Sequence, residues 1–145
     1  MPTGADPAPP PELLVDTSVA VALVVADHDD HDAVVAAIGA WRLGLAGHAA
    51  FETYSVLTRL PSPARREPKV VDQLIRASFP ASRFLGAEET AALLDRLARL
   101  GIAGGAVYDA LVGAVAVAHS LPLATRDARA ADVYRTLDVE FELLD

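Results

Sequence analysis

The sequence predicts an α/β fold: a parallel sheet covered by helices on both sides. Three observations carry this. Short apolar runs of three to five residues recur along the chain, "LLV" at 13–15 being the first. Longer segments with helical periodicity separate them. Several of the runs are apolar without alternation, as strands buried on both faces are. The order then reads strand, helices, strand, which favours a layered α/β domain.

The elements follow in order. Residues 13–16 are expected to form the first strand, ending on Asp16. Thr17 or Ser18 starts a helix to about Val25. "DHDDHD" at 27–32 opens another, with Val34, Val35 and Ile38 on one side. Its acids read as helix-start residues favoured by capping and the helix dipole, and His31 as packing near the first helices. Residues 43–46 form a second strand. Ala49 to Leu60 is helical and contains "FETYSVLTRL". "PSPARREPK" at 61–69 is a loop punctuated by three prolines. Helices follow over 70–77 and 88–100. In the second, Leu93, Leu94, Leu97 and Leu100 form a stripe. A third strand is expected at 83–85. Asp109 to His119 is an Ala- and Val-rich helix with no charge from 110 to 118. Residues 121–124 and 139–143 supply the last strands, with a small helical turn after Asp127. Trp41 is expected in the core.

Composition sets outer limits. The 145 residues suit one domain, placed at 12–145, with a flexible Pro-rich arm over 1–11. There is no cysteine, which excludes disulfides and thiolate chemistry. No apolar stretch reaches the roughly 18 residues of a membrane span. The opening "MPTGADPAPPPE" lacks a basic segment followed by an apolar one, so no signal peptide is expected and the cytoplasm is the expected compartment. The net charge of -8 opposes non-specific coating of nucleic acid or anionic membrane.

Four acids stand out because of where they fall. Asp16 interrupts "ELLVDTSVAVALVV" between two apolar runs, where a bare buried charge is costly. Glu52 lies in a short, rather apolar helix. Asp109 is the one charge in "GGAVYDALVGAVAVAH". Asp127 follows the apolar segment of "LPLATRDARAAD". Each alone has an ordinary reading, as a cap for the three aspartates and as a solvated side chain for Glu52. In a parallel sheet, however, residues following strands converge on one edge. Converging carboxylates repel unless a cation bridges them, and hard divalent cations take oxygen ligands.

The four quoted motifs, in this order and in a chain of this size, resemble the signatures of the PIN domain, and within it the VapC-type toxins of toxin–antitoxin pairs. The resemblance runs from about Leu13 to Leu144. It implies a three-layer PIN-like fold and a Mg2+-dependent endoribonuclease, with Mn2+ as a substitute. It implies Asp16, Glu52, Asp109 and Asp127 as the catalytic and metal-binding acids, with Thr17, Ser18 and Thr125 as supporting polar groups. Hydrolysis by an activated water would leave a 5'-phosphate and a 3'-hydroxyl. It further implies a cognate antitoxin, an RNA substrate, a homodimer, and contact with DNA only through the antitoxin. Arg65, Arg66, Lys69, Arg126 and Arg129 are candidate phosphate contacts. The alternatives are a catalytically inactive PIN-like protein-binding module and another Mg-dependent phosphoester hydrolase.

Overall fold

The computed structural model describes residue 4 and residues 8–145. The expected flexible arm over 1–11 falls in part on 1–3 and 5–7, outside the described residues. Residues 8–11 are exposed without regular structure, and the Pro11 carbonyl accepts from the Arg42 amide at 2.9 Å.

Four strands form one parallel sheet: β1 (Glu12–Val15), β2 (Arg42–Leu45), β3 (Leu123–Thr125) and β4 (Phe141–Leu143), in the order β2-β1-β3-β4. Leu13, Leu14 and Val15 are all buried. Successive strand side chains point to opposite faces, so both faces of β1 are covered.

Parallel neighbours need crossovers, and helices provide them. Helices α1 (Thr17–Val24) and α2 (His31–Ile38) link β1 to β2. Four more link β2 to β3: α3 (His48–Thr58), α4 (Pro68–Ser78), α5 (Ala87–Leu100) and α6 (Ala106–His119). Helix α7 (Ala128–Thr136) links β3 to β4. From β1 the chain moves first to one neighbour and later to the other. The carboxyl ends of β1 and β3 therefore flank a topological switch point, where open α/β sheets bind ligands.

Several expectations shift in detail. The strand expected at 83–85 is reduced to one parallel bridge, Ala46 to Arg83. The segment before it runs along the outer edge of β2, its Ala81 amide donating to the Leu43 carbonyl and its Arg83 amide to that of Leu45. Gly44 allows this approach, because a Cβ there would lie 2.3 Å from the Ala81 backbone. Helix α6 starts three residues before Asp109, and the turn expected after Asp127 is a helix of nine residues. Leu93 is buried as expected, but Leu94 is 69% exposed and falls outside the stripe. Trp41 sits at the surface beside β2 rather than in the core. Among the described residues, no helix is long and apolar enough to cross a membrane.

Candidate active site

Asp16 stands at the end of β1 and is buried, at 5% exposure. It is the N-cap of α1, so its place is partly dictated by local chain chemistry. Its Oδ1 accepts from the Val19 amide at 3.4 Å and from Ser18 Oγ at 2.6 Å. Its Oδ2 accepts from the hydroxyl of Tyr134, 118 residues away, at 3.0 Å. Ser18 Oγ in turn accepts from the Arg126 amide. One aspartate thus ties β1, α1, α7 and the β3–α7 turn together. Thr17 is the first helical residue, and Asp16 both caps the helix and faces the cleft.

The same cleft is lined by Asp16, Thr17, Ser18, Glu52, Asp109, Val112, Asp127 and Tyr134. The four acids singled out from the sequence are therefore brought together from β1, α3, α6 and the start of α7. Asp127 caps α7, its Oδ1 accepting from the Arg129 and Ala130 amides. Its own amide donates to Thr125 Oγ1 at 3.1 Å, on a side chain that is fully buried. Glu52 is gripped at both oxygens: Thr17 Oγ1 donates to Oε2 at 3.2 Å, and His48 Nε2 lies 2.9 Å from Oε1. Asp109 lies in the first turn of α6, where the helix dipole favours a negative charge.

The electrostatics follow from this crowding. Burial pushes the Asp16 carboxyl above its ordinary range, against the opposing hydrogen bonds from Ser18, Thr125 and Tyr134. Asp109 is raised to about 6, chiefly by burial and then by the charges of Asp127, Asp16 and Glu52. Tyr134 is pushed far up by burial and by Asp16, so its hydroxyl remains a donor throughout the working pH range. Among the described residues, no Lys or Arg lines the cleft to offset the acids.

A pH effect on stability follows. An acid whose pKa is higher folded than unfolded holds its proton more tightly in the native state. Between the ordinary value near 3.8 and about 6, the folded chain therefore binds more protons at Asp109, and stability falls as pH rises through that window. In EDTA, the wild type should melt at higher temperature near pH 5 than near pH 7. Asp109→Asn should reduce that difference, as thermal melts at the two pH values would show.

The donor set suits a hard divalent cation: oxygen ligands and no thiolate. The cleft volume of about 60 Å3 exceeds the roughly 10–15 Å3 that one water requires. Among the described residues no three His, Cys, Asp or Glu are drawn close enough to form a closed ligand cluster. Mg2+ commonly keeps several waters and takes only one or two carboxylates directly, so an open cleft of this kind remains compatible with it.

The basic residues fare differently. Arg126 is mostly buried and ion-paired through Nη2 with Asp30. Asp30 is thus a counter-charge rather than a side-chain cap of α2. Arg66 is half-buried, reaching the Val24 carbonyl with Nη2. Arg65, Lys69 and Arg129 are exposed, and none lines the cleft. His31 Nδ1 lies 2.8 Å from the Ala22 carbonyl, on α1 as expected. Tyr134 is the polar cleft residue that sequence reasoning missed, beside the apolar Val112. Its only signal is the spacing Ala130, Ala131, Tyr134 on one face of a helix capped by Asp127.

A family model described as the PIN domain matches residues 13–136. The chain is 49% identical over 129 residues to "Ribonuclease VapC27" of Mycobacterium tuberculosis, covering 89% of this chain and 94% of the relative. It is 45% identical over 131 residues to "Ribonuclease VapC40" of the same species, covering 89% and 96%. Among solved structures, VapBC2 from Rickettsia felis, bound to a DNA fragment from its promoter, matches with a TM-score of 0.66. That match is 14% identical and covers 92% of this chain and 99% of that one, a likeness of fold.

Proposed function

Because this chain belongs to the PIN-domain family and is closely related to the VapC-type toxins of toxin–antitoxin systems, we propose that it is a Mg2+- or Mn2+-dependent endoribonuclease acting as the toxin of such a pair. The observation that carries the reading is the meeting of Asp16, Glu52, Asp109 and Asp127 in one cleft at the switch point of the sheet. A protein-binding module would gain nothing from four carboxylates held together at a cost in self-repulsion. The two curated relatives named as ribonucleases favour RNA over another phosphoester.

Asp16 and Asp109 would hold the cation, with Glu52 and Asp127 beside them. When bound, the ion supplies positive charge against the scissile phosphate and acidifies water. The chain's own residues do the rest. Ser18, the Val19 amide and Tyr134 fix Asp16, so its carboxylate is preorganised. Thr17 and His48 fix Glu52. A carboxylate not engaged by the ion accepts the proton that the attacking water loses. Water adds at phosphorus as the bond to the 3'-oxygen breaks, and the departing 3'-oxygen takes a proton from solvent water, giving a 5'-phosphate and a 3'-hydroxyl with no part for the ribose 2'-hydroxyl.

Of the five candidate phosphate contacts, Arg65, Lys69 and Arg129 are the exposed ones, placed to meet phosphates outside the cleft. The reading also entails a cognate antitoxin, a homodimer, contact with DNA only through the antitoxin, and action in the cytoplasm.

The test is cleavage of total cellular RNA by the purified chain. Discrete fragments bearing 5'-phosphates are expected with Mg2+ or Mn2+, and intact RNA with EDTA. RNA that stays intact in both, or is cut equally in EDTA, overturns the reading.

A further inference from the structure

We propose that His48 is a positioning residue for the cation site, holding the Glu52 carboxylate in place while Tyr108 holds the His48 ring. The inference rests on the metal reading above and deepens it. His48 and Glu52 are one turn apart on α3, and His48 Nε2 sits 2.9 Å from Glu52 Oε1. The other carboxylate oxygen is held by Thr17 Oγ1 at 3.2 Å. Glu52 is thus bracketed from its own helix on one side and from the start of α1 on the other. Its side chain remains 42% exposed, so packing alone does not fix its rotamer.

The His48 ring is itself fixed. It stacks on Tyr108, with ring centroids 4.9 Å apart and planes inclined by 19°. Tyr108 precedes Asp109 on α6, so the stack joins α3 to the helix that carries a second acid of the cleft. A glutamate has three rotatable side-chain bonds, and freezing them costs conformational entropy. Contacts that freeze them beforehand lower the cost of binding a cation, as outer partners of metal-binding carboxylates do. Nε2 donates here in either charge state of the ring, provided the neutral form carries its proton on Nε2.

Mn2+ binding to the RNA-free protein, followed by calorimetry with thermal melts as a folding control, separates the possibilities. His48→Ala should weaken Mn2+ binding about tenfold or more, within the 10–100-fold range typical of outer-shell partners, while the fold melts as a single transition. His48→Gln places a side-chain amide near Nε2 and should recover most of that loss. Tyr108→Phe, which keeps the stack, should bind as wild type, whereas Tyr108→Leu should bind more weakly. Wild-type affinity in His48→Ala overturns the positioning role and leaves the metal reading intact. Equal loss in His48→Ala and His48→Gln overturns it in favour of direct ligation by the imidazole. If the wild type takes up no Mn2+, the metal reading fails and this inference with it.

Discussion

Asp16→Asn should abolish RNA cleavage while leaving the metal-free protein as stable as the wild type, or more so. The two halves of this expectation have one cause. Asp16 is buried, and burial raises its pKa, so its charge is held at a cost in the native state. Asparagine removes the charge and keeps the shape. It caps a helix as well as aspartate does, so the bond from the Val19 amide survives. The Tyr134 hydroxyl, a donor to Oδ2 in the wild type, can instead accept from the new amide. Melting in EDTA at pH 7 should therefore show an unchanged or raised midpoint. Each kcal/mol recovered is worth about 2–4 °C in a chain of this size. Cleavage should fall by at least about a hundredfold, beyond what losing an outer partner of a metal site typically costs. A variant that is folded but destabilised by several degrees would show that the carboxylate serves structure first.

Tyr134 carries the second large effect. It is fully buried and meets Phe141 edge-on at 5.8 Å between ring centroids. Its ring also occupies the space beside Gly113, where a Cβ would come within 2.9 Å of Tyr134 Cδ1. Tyr134→Ala removes that ring from the junction of α6, α7 and β4 and leaves a cavity. The expected cost is about 3–5 kcal/mol, a large part of the 5–15 kcal/mol that holds a typical domain together. Urea denaturation would measure it as a lower midpoint with a similar slope. Tyr134→Phe isolates the hydroxyl. It retains the packing but takes a hydrogen bond from a buried carboxylate, at about 1–3 kcal/mol. It should also raise the Asp16 pKa further, because the tyrosine bond is among those that lower it.

The contrast between these two residues shows what the sequence displays and what it hides. Asp16 was legible because a carboxylate between apolar runs contradicts the pattern around it. Asp109 was legible for the same reason, as one charge in a run of alanine, valine and glycine. Glu52 and Asp127 are weaker signals individually and gained meaning from order and spacing. Tyr134 had no such contrast. It lies in "ADVYRTL", a stretch of mixed polar and apolar residues, and its importance comes from a contact 118 residues away. The surroundings of Arg126 were hidden for a related reason. Its neighbours Thr125 and Asp127 do stand at the site, yet its side chain turns to Asp30, across 96 residues. The third strand failed because pairing along the outer edge of β2 depends on how closely two backbones approach at Gly44, a tertiary matter. Periodicity located most of the helices and strands, with shifts at their ends. It could not supply the ion pairs and hydrogen bonds that join them.

The central claim is that the four acids act as one cation-dependent centre for cutting RNA. The most direct test compares wild type with Asp109→Asn on the same RNA in Mn2+, both shown to be folded by circular dichroism. The account predicts cleavage by the wild type and at least about a hundredfold loss in the variant. Equal cleavage by the two proteins would contradict it.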